Sequence, residues 1–277
     1  MRSSIKNKRK IFQNKFCLTV IVLSMISLNI AYAESLKVCY EASLLFKVGE
    51  SCIEYQLSEG DILKLESKQH TTGIVDAASH LEQRVTADIA LNPLVSRYLY
   101  FYEKNKRKSM THHYMFQERL IYSGNSFRYK DHRYKNARKT FDKEGVLDPA
   151  AAVMYFQLNM NAGEGSLKTF FEGKYIDITY SEEGHEEITF NGEKYGCSVI
   201  DFVVPVSTSS LVTPTGVWRI YIDDETGIIM RLELKFPLGS AKLKPVSITG
   251  DMEILKKYIA RPSKTGLINV VESTVRD

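Results

Sequence analysis

Apolar and polar residues alternate in short runs through most of this chain, and turn residues break the runs. A period of two is the signature of a half-buried β-strand. The stretch "VCYEASLLFKVGESCIEYQLSEGD", residues 38–61, is an example. With Val48-Gly49 as a two-residue loop, pairing partners sum to 97. One face then carries Tyr40, Ala42, Leu44 and Phe46 opposite Leu57, Tyr55, Ile53 and Ser51. The other face carries Glu41 opposite Gln56 and Ser43 opposite Glu54, so one side is apolar and one polar. In this register Cys52 lies opposite Leu45, six residues and roughly 20 Å along the strand from Cys39. A disulfide needs Cα atoms within about 7 Å, so the pattern predicts that Cys39 and Cys52 are not bonded.

Asn191-Gly192, between two strand-like runs, is the strongest short hairpin signal in the chain. "YSGNSFRY" and "YSEEGHEE" also read as punctuation between strands. "RIYIDDETGIIMRLELKF", residues 219–236, reads as two strands around an Asp-rich turn, with Asp223, Asp224 and Glu225 facing water. Trp218, Ile220 and Ile222 mark the buried face of its first strand. One segment breaks the period of two. "LDPAAAVMYFQLNMNAG" offers Asp148 as N-cap, Pro149 at the first helical position and Gly163 beyond the end. It predicts a helix over about 148–160, apolar on most sides and packed onto or into a sheet. The expected fold is mainly β: a single curved antiparallel sheet or half-barrel with one or two short helices.

The chain's ends change the charge argument. Residues 1–16 carry six Lys and Arg and no acid, an apolar run follows to Ile30, and "AYA" ends at Ala33. This predicts a leader over 1–33, cleaved near Ala33-Glu34, and hence export to the periplasm. The run is too short to span a bilayer comfortably, and no later run reaches spanning length. The leader holds six of the 37 bases and none of the 33 acids, which leaves 31 against 33 and a net charge of −2. The basic isoelectric point therefore belongs to the leader and gives no support to nucleic-acid binding. Residues 34–257 read as one β domain and 258–277 as a poorly ordered tail. Cys39, Cys52 and Cys197 remain, an odd number, and Cys197 reads as a small buried hydrophobe. Whether it pairs with Cys39 or Cys52 is open.

Candidate chemistry is sparse. No catalytic constellation, metal site or cofactor motif emerges. Adjacent acids and the His112-His113 pair point to opposite faces of a strand, so one ring faces in and the other out. The most unusual feature is basic. Residues 104–143 hold twelve Lys and Arg against three acids, interleaved with aromatics. Arg119, Arg128, Lys130 and Arg133 are the candidate contacts for an anionic group, and Trp218 is a candidate lining residue.

Three segments in order, "LESKQHTTGIVDAASHLEQRV", "DPAAAVMYFQL" and "GVWRIYIDDETGIIMRLELKFPLGSAKLKPVSI", carry a resemblance. Together they are similar to the family catalogued as domain of unknown function 3108, over roughly Leu36 to Ile248. The resemblance implies Gram-negative periplasm, no established activity, and a strongly curved antiparallel sheet like the half-barrels of periplasmic lipoprotein carriers. A cysteine at the place of Cys197 fits the family; Cys39, Cys52 and the tail past Asp251 depart from it. The expected function is non-enzymatic binding of a lipid, acyl chain or other amphiphile on the concave sheet, with the helix covering or plugging the opening. The alternative is an envelope interaction module that uses the basic 104–143 face on a partner protein or cell-wall polymer. An envelope hydrolase would need convergent carboxylates or a nucleophile with its base.

Overall fold

Alternation governs the architecture. The computed structural model describes residues 34–130, 134–204, 216–236 and 239–259. The expected leader, Arg133 and most of the expected tail lie outside them. In chain order the elements are β1 (Ser35–Ser43), β2 (Lys47–Ser58), β3 (Ile62–Thr71), the short helix α1 (Gly73–Ser79), β4 (Glu82–Leu91), β5 (Leu94–Lys104), β6 (Lys108–Phe116), β7 (Leu120–Tyr129) and β8 (Tyr134–Asp142). Then come β9 (Val146–Leu147), helix α2 (Pro149–Leu158), β10 (Glu164–Phe171), β11 (Lys174–Phe190), β12 (Glu193–Val203), β13 (Val217–Asp223), β14 (Ile229–Phe236) and β15 (Gly239–Gly250).

Among the described residues all fifteen strands belong to one sheet, in the order β8 to β1, then β15 to β9. Sequence neighbours pair as antiparallel hairpins, and β1 zips against β15 to join the two runs. Only β9 pairs in parallel, with β10. The sheet is unclosed and the fold mainly β, as the alternation predicts. It rolls until its edges approach. The Tyr175 hydroxyl donates to the Asp142 carbonyl at 2.7 Å, and Phe141 packs on Phe170 with ring centroids 4.8 Å apart. On the inner face Leu36, Val38, Tyr40, Leu63, Leu65, Ala87, Ile89 and Leu99 are all buried.

The first hairpin corrects one expectation. Its turn lies at Leu44–Phe46, and Cys39 faces Cys52 directly across the ladder. The two are disulfide-bonded, with Cα atoms 4.0 Å apart, and Cys197 is free and buried. The predicted register slid by six residues. An even slip keeps paired side chains on their face, so Tyr40, Ala42, Ser51, Ile53 and Tyr55 share one face as expected, whereas Leu44 and Phe46 leave it for the turn. Gly49 serves close packing instead of turning: a Cβ there would lie 2.8 Å from the His70 carbonyl oxygen. "YSGNSFRY" and "YSEEGHEE" also lie inside strands, β7 and β11. Partners on both sides hold the first extended, the second runs past the end of β10 and is held mainly by β12, and β11 absorbs its Gly184 in a bulge, at φ 107°. The Asn191-Gly192 turn is where the sequence puts it, with φ of 51° and 85°.

Candidate functional site

Helix α2 occupies the interior of the roll. The Asp148 carboxylate caps it, accepting from Ala150 N at 2.7 Å and Ala151 N at 3.0 Å, with Pro149 opening the first turn. Its sequence, PAAAVMYFQL, has no charge and no polar stripe, so burial on every side is its stable solution. Both halves of the sheet grip it. On one side the Asp148 amide donates to Ser96 Oγ on β5 at 2.7 Å. On the other, Phe156 stacks on Phe202 at 5.4 Å, Tyr155 and Tyr180 hydroxyls meet at 3.0 Å, and Gln157 Nε2 donates to the Gly227 carbonyl at 2.8 Å. The helix thus plugs the concave face.

Beyond the helix, the inner face of β3 to β7 turns polar. Gln83, Glu103, His112 and Asn125 all share the inward face with Leu99 and Tyr114. Glu103 is 2 % exposed and His112 1 % exposed. Glu103 Oε2 accepts from Gln83 Nε2 at 2.9 Å, while Oε1 has no partner among the described residues. His112 Nδ1 lies 2.8 Å from Asn125 Oδ1. With that oxygen as acceptor, Nδ1 carries the proton and Nε2, also buried, is a bare acceptor. The two side chains are diagonal neighbours on adjacent strands, since Phe101 faces His112 and Glu103 faces Met110. Aromatic rings of Phe101, Tyr114, Phe127 and Phe171 stand within about 6 Å of the imidazole, centroid to centroid. Gln83 also lines a cleft of about 350 Å³ at the α1 end of β3 and β4, together with Lys68, Gln69, His70, Glu82 and Arg84. Asp148 Oδ2 and the Tyr40 hydroxyl are further buried polar atoms without partners. Burial pushes both groups above their ordinary pKa.

The residues picked from the sequence do not converge. Arg128 sits on the outer face of β7, exposed, opposite Ser109. Lys130 follows that strand, and Arg119 precedes it, so the two stand at opposite ends of a ten-residue strand, roughly 35 Å apart. Arg133 lies outside the described residues. Trp218 faces inward, edge-on to Phe202 at 5.5 Å, in the apolar half. One headgroup cannot bridge these positions. The sequence signal that did point inward was the alternation in "MTHHYMF", which turns His112 in and His113 out; Glu103 follows from the same alternation in β5 but was not singled out.

The acidic turn is confirmed as a turn but differs in detail. Asp223 is buried, not solvated, and its Oδ2 accepts from Thr226 N at 3.0 Å; burial raises its pKa. Asp224 Oδ1 accepts from Ser198 N at 2.9 Å, and Oδ2 lies 3.1 Å from His185 Nδ1. Capping of the Thr226 amide within the turn pulls Asp223 inward, while Asp224 and Glu225 are exposed, as expected. A cleft of about 520 Å³ adjoins this turn. Among the described residues, no group of three or more His, Cys, Asp or Glu is placed to hold a metal ion. Burial raises the Cys197 thiol to about 12, which leaves it a poor nucleophile.

No protein-family model matches the chain, and no curated protein matches it. Solved structures do. The chain is similar to a β-barrel-like protein of domain of unknown function DUF1849 from Brucella abortus, with TM-score 0.52 and 10 % identity, over 79 % of this chain and 98 % of that one. It also aligns with the hypothetical lipoprotein YmcC of Escherichia coli K12, at TM-score 0.28 and 9 % identity, over 82 % of this chain and 94 % of that one. The first likeness shows a β-barrel-like fold and nothing about ligands; the second is too distant to argue from.

Proposed function

We propose that the protein is a non-enzymatic binding protein of the cell envelope that takes an amphiphile with a hydrogen-bond-donating head inside its rolled sheet. The leader of residues 1–33 would deliver it to the periplasm, leaving residues 34–257 as the binding domain. The resemblance to the domain of unknown function 3108 family supports the same compartment. The observation that carries the reading is the pair of buried bare acceptors, Glu103 Oε1 and His112 Nε2, the imidazole within a ring of aromatic side chains. A buried acceptor left unpaired costs about 1–3 kcal/mol, and such groups in a native protein call for a partner. Two acceptors beside π-faces suit an ammonium or hydroxyl donor. The apolar tail would take the volume that the side chains of α2 now fill, with the helix as a displaceable plug.

Native mass spectrometry after gentle purification should show co-purifying lipid. A fluorescent long-chain amine should bind, and be displaced by alkylamines better than by fatty acids of the same length. A clean apo mass together with no binding of either probe removes the interior from consideration. The interaction-module reading keeps one observation, the outward exposure of Arg128. Charge reversal there, Arg128→Glu, should abolish a pulldown if that face is used.

A further inference from the structure

Three neighbouring side chains at the tip of the β1–β2 hairpin are left in water. Leu44 is 41 % exposed, Leu45 98 % and Phe46 50 %. The tip closes on itself, with Leu44 N donating to the Phe46 carbonyl at 3.0 Å, and its side chains are exposed among the described residues. Ile74 on α1 is 75 % exposed. Helix α1 is tied to the base of the hairpin, where Thr72 N donates to the Val48 carbonyl at 3.0 Å. The apolar residues therefore stand at one end of the roll.

The same end is cationic. Lys106 N donates to the Ser79 carbonyl at 3.2 Å, which joins the β5–β6 turn to α1. Lys130 N donates to the Arg107 carbonyl at 2.9 Å, which joins the end of β7 to that turn. Lys104, Lys106, Arg107 and Lys130 are exposed; the Lys106 ammonium donates to the Ala77 carbonyl, and among the described residues none of the four pairs with a carboxylate. The acids nearest the tip are already engaged. Glu41 and Glu50 share Lys47, and Asp76 takes Thr71 and His80. An apolar finger beside an arc of uncompensated cations matches a bilayer surface with anionic headgroups, which accepts apolar side chains in its acyl boundary and cations above it. We infer that this end of the protein docks on an anionic lipid leaflet, with Leu44, Leu45, Phe46 and Ile74 inserted and Lys104, Lys106, Arg107 and Lys130 against the headgroups.

The inference is independent of what the interior binds. It is tested by flotation of the chain, isolated from the compartment in which cells accumulate it and with its N-terminus fixed by mass spectrometry. The vesicles contain either phosphatidylglycerol with phosphatidylethanolamine or phosphatidylcholine alone. The chain should float with the anionic vesicles, and the floated fraction should fall as salt rises. Leu44→Ser/Leu45→Ser/Phe46→Ser should weaken partitioning at least tenfold, since each apolar side chain contributes roughly tenfold. Lys106→Glu/Arg107→Glu should weaken it more than about tenfold, at roughly fivefold or more per cation. Thermal melts check that both variants fold. Leu45→Trp should shift its emission to the blue on vesicles and be quenched by brominated acyl chains. Failure of the wild-type chain to float with anionic vesicles overturns the docking surface. So does equal binding by the serine triple variant, or an unshifted indole emission from the Leu45→Trp variant.

Discussion

Two stretches of one inner face follow the same alternation and end differently. Across β12 and β13 the inward residues Ile200, Phe202, Ile220 and Ile222 are apolar and buried, with Phe202 stacked on Phe156. Most polar groups around them are matched: Gln157 Nε2 to Gly227, Asp223 to Thr226, Asp224 to Ser198, with the buried Gln157 Oε1 left bare. Across β4 to β7 the inward face carries Gln83, Glu103, His112 and Asn125, and two of their buried atoms have no partner. The fold does not require this, since the first stretch manages the same curvature with hydrocarbon. Polar residues in the second stretch therefore cost stability and point to a role other than holding the sheet together.

The sharpest way to break that contrast is to empty the first stretch. Phe156→Ala removes a ring stacked on Phe202 and edged by Tyr180. It should lower unfolding free energy by about 3–5 kcal/mol in a denaturant titration; a loss under about 1 kcal/mol would mean that α2 is a loose plug even on its apolar side. Next in size is the seam between β1 and β2. Cys39→Ser/Cys52→Ser opens a bridge spanning 13 residues of sequence, and should cost about 3 kcal/mol with no change in amphiphile binding. In the second stretch the sign should reverse. Gln83→Leu/Glu103→Leu and His112→Leu/Asn125→Leu each remove a bare buried acceptor together with the partner of its paired atom, and each should hold or raise stability by about 1 kcal/mol while weakening amine-probe binding. A loss of more than about 2 kcal/mol in either would show that the acceptor is already satisfied in the unliganded chain.

How far the sequence could be read follows from what kind of signal each feature leaves. Helix α2 and the Asn191-Gly192 hairpin are encoded locally, by a cap, a proline and a two-residue turn, and both stand where they were placed. The first hairpin failed because hydrophobic patterning assumes apolar residues go inside. Leu44, Leu45 and Phe46 looked like strand interior, and they are an exposed tip. That pushed the turn to Val48-Gly49 and the two cysteines out of register. Gly49 looked like a turn residue because a sequence cannot show that His70 passes close beside it. The site is harder still. Arg119, Arg128 and Lys130 are neighbours in sequence, yet strand alternation and ten residues of β7 separate them in space. Glu103 and His112 become neighbours only once β5 and β6 pair.

Asp148 gives the smallest and most specific test, because it joins the two stretches through the helix cap. Its Oδ1 is matched by two helix amides, while Oδ2 is bare. Burial holds its pKa above the ordinary carboxylate value, against the lowering effect of hydrogen bonds from Ser96 and the helix amides. The folded state therefore binds the proton more tightly than the unfolded one. Stability from this group is complete below the unfolded-state pKa and is lost as pH rises through the raised folded-state value. Asp148→Asn keeps the cap, worth about 1 kcal/mol, and removes the proton linkage. Relative to the wild type, its stability should climb as pH rises through that window and then level off, in denaturant titrations from acid to neutral pH. A flat or falling difference would mean that Oδ2 finds a donor when the carboxylate ionises, and the helix cap would then be fully matched.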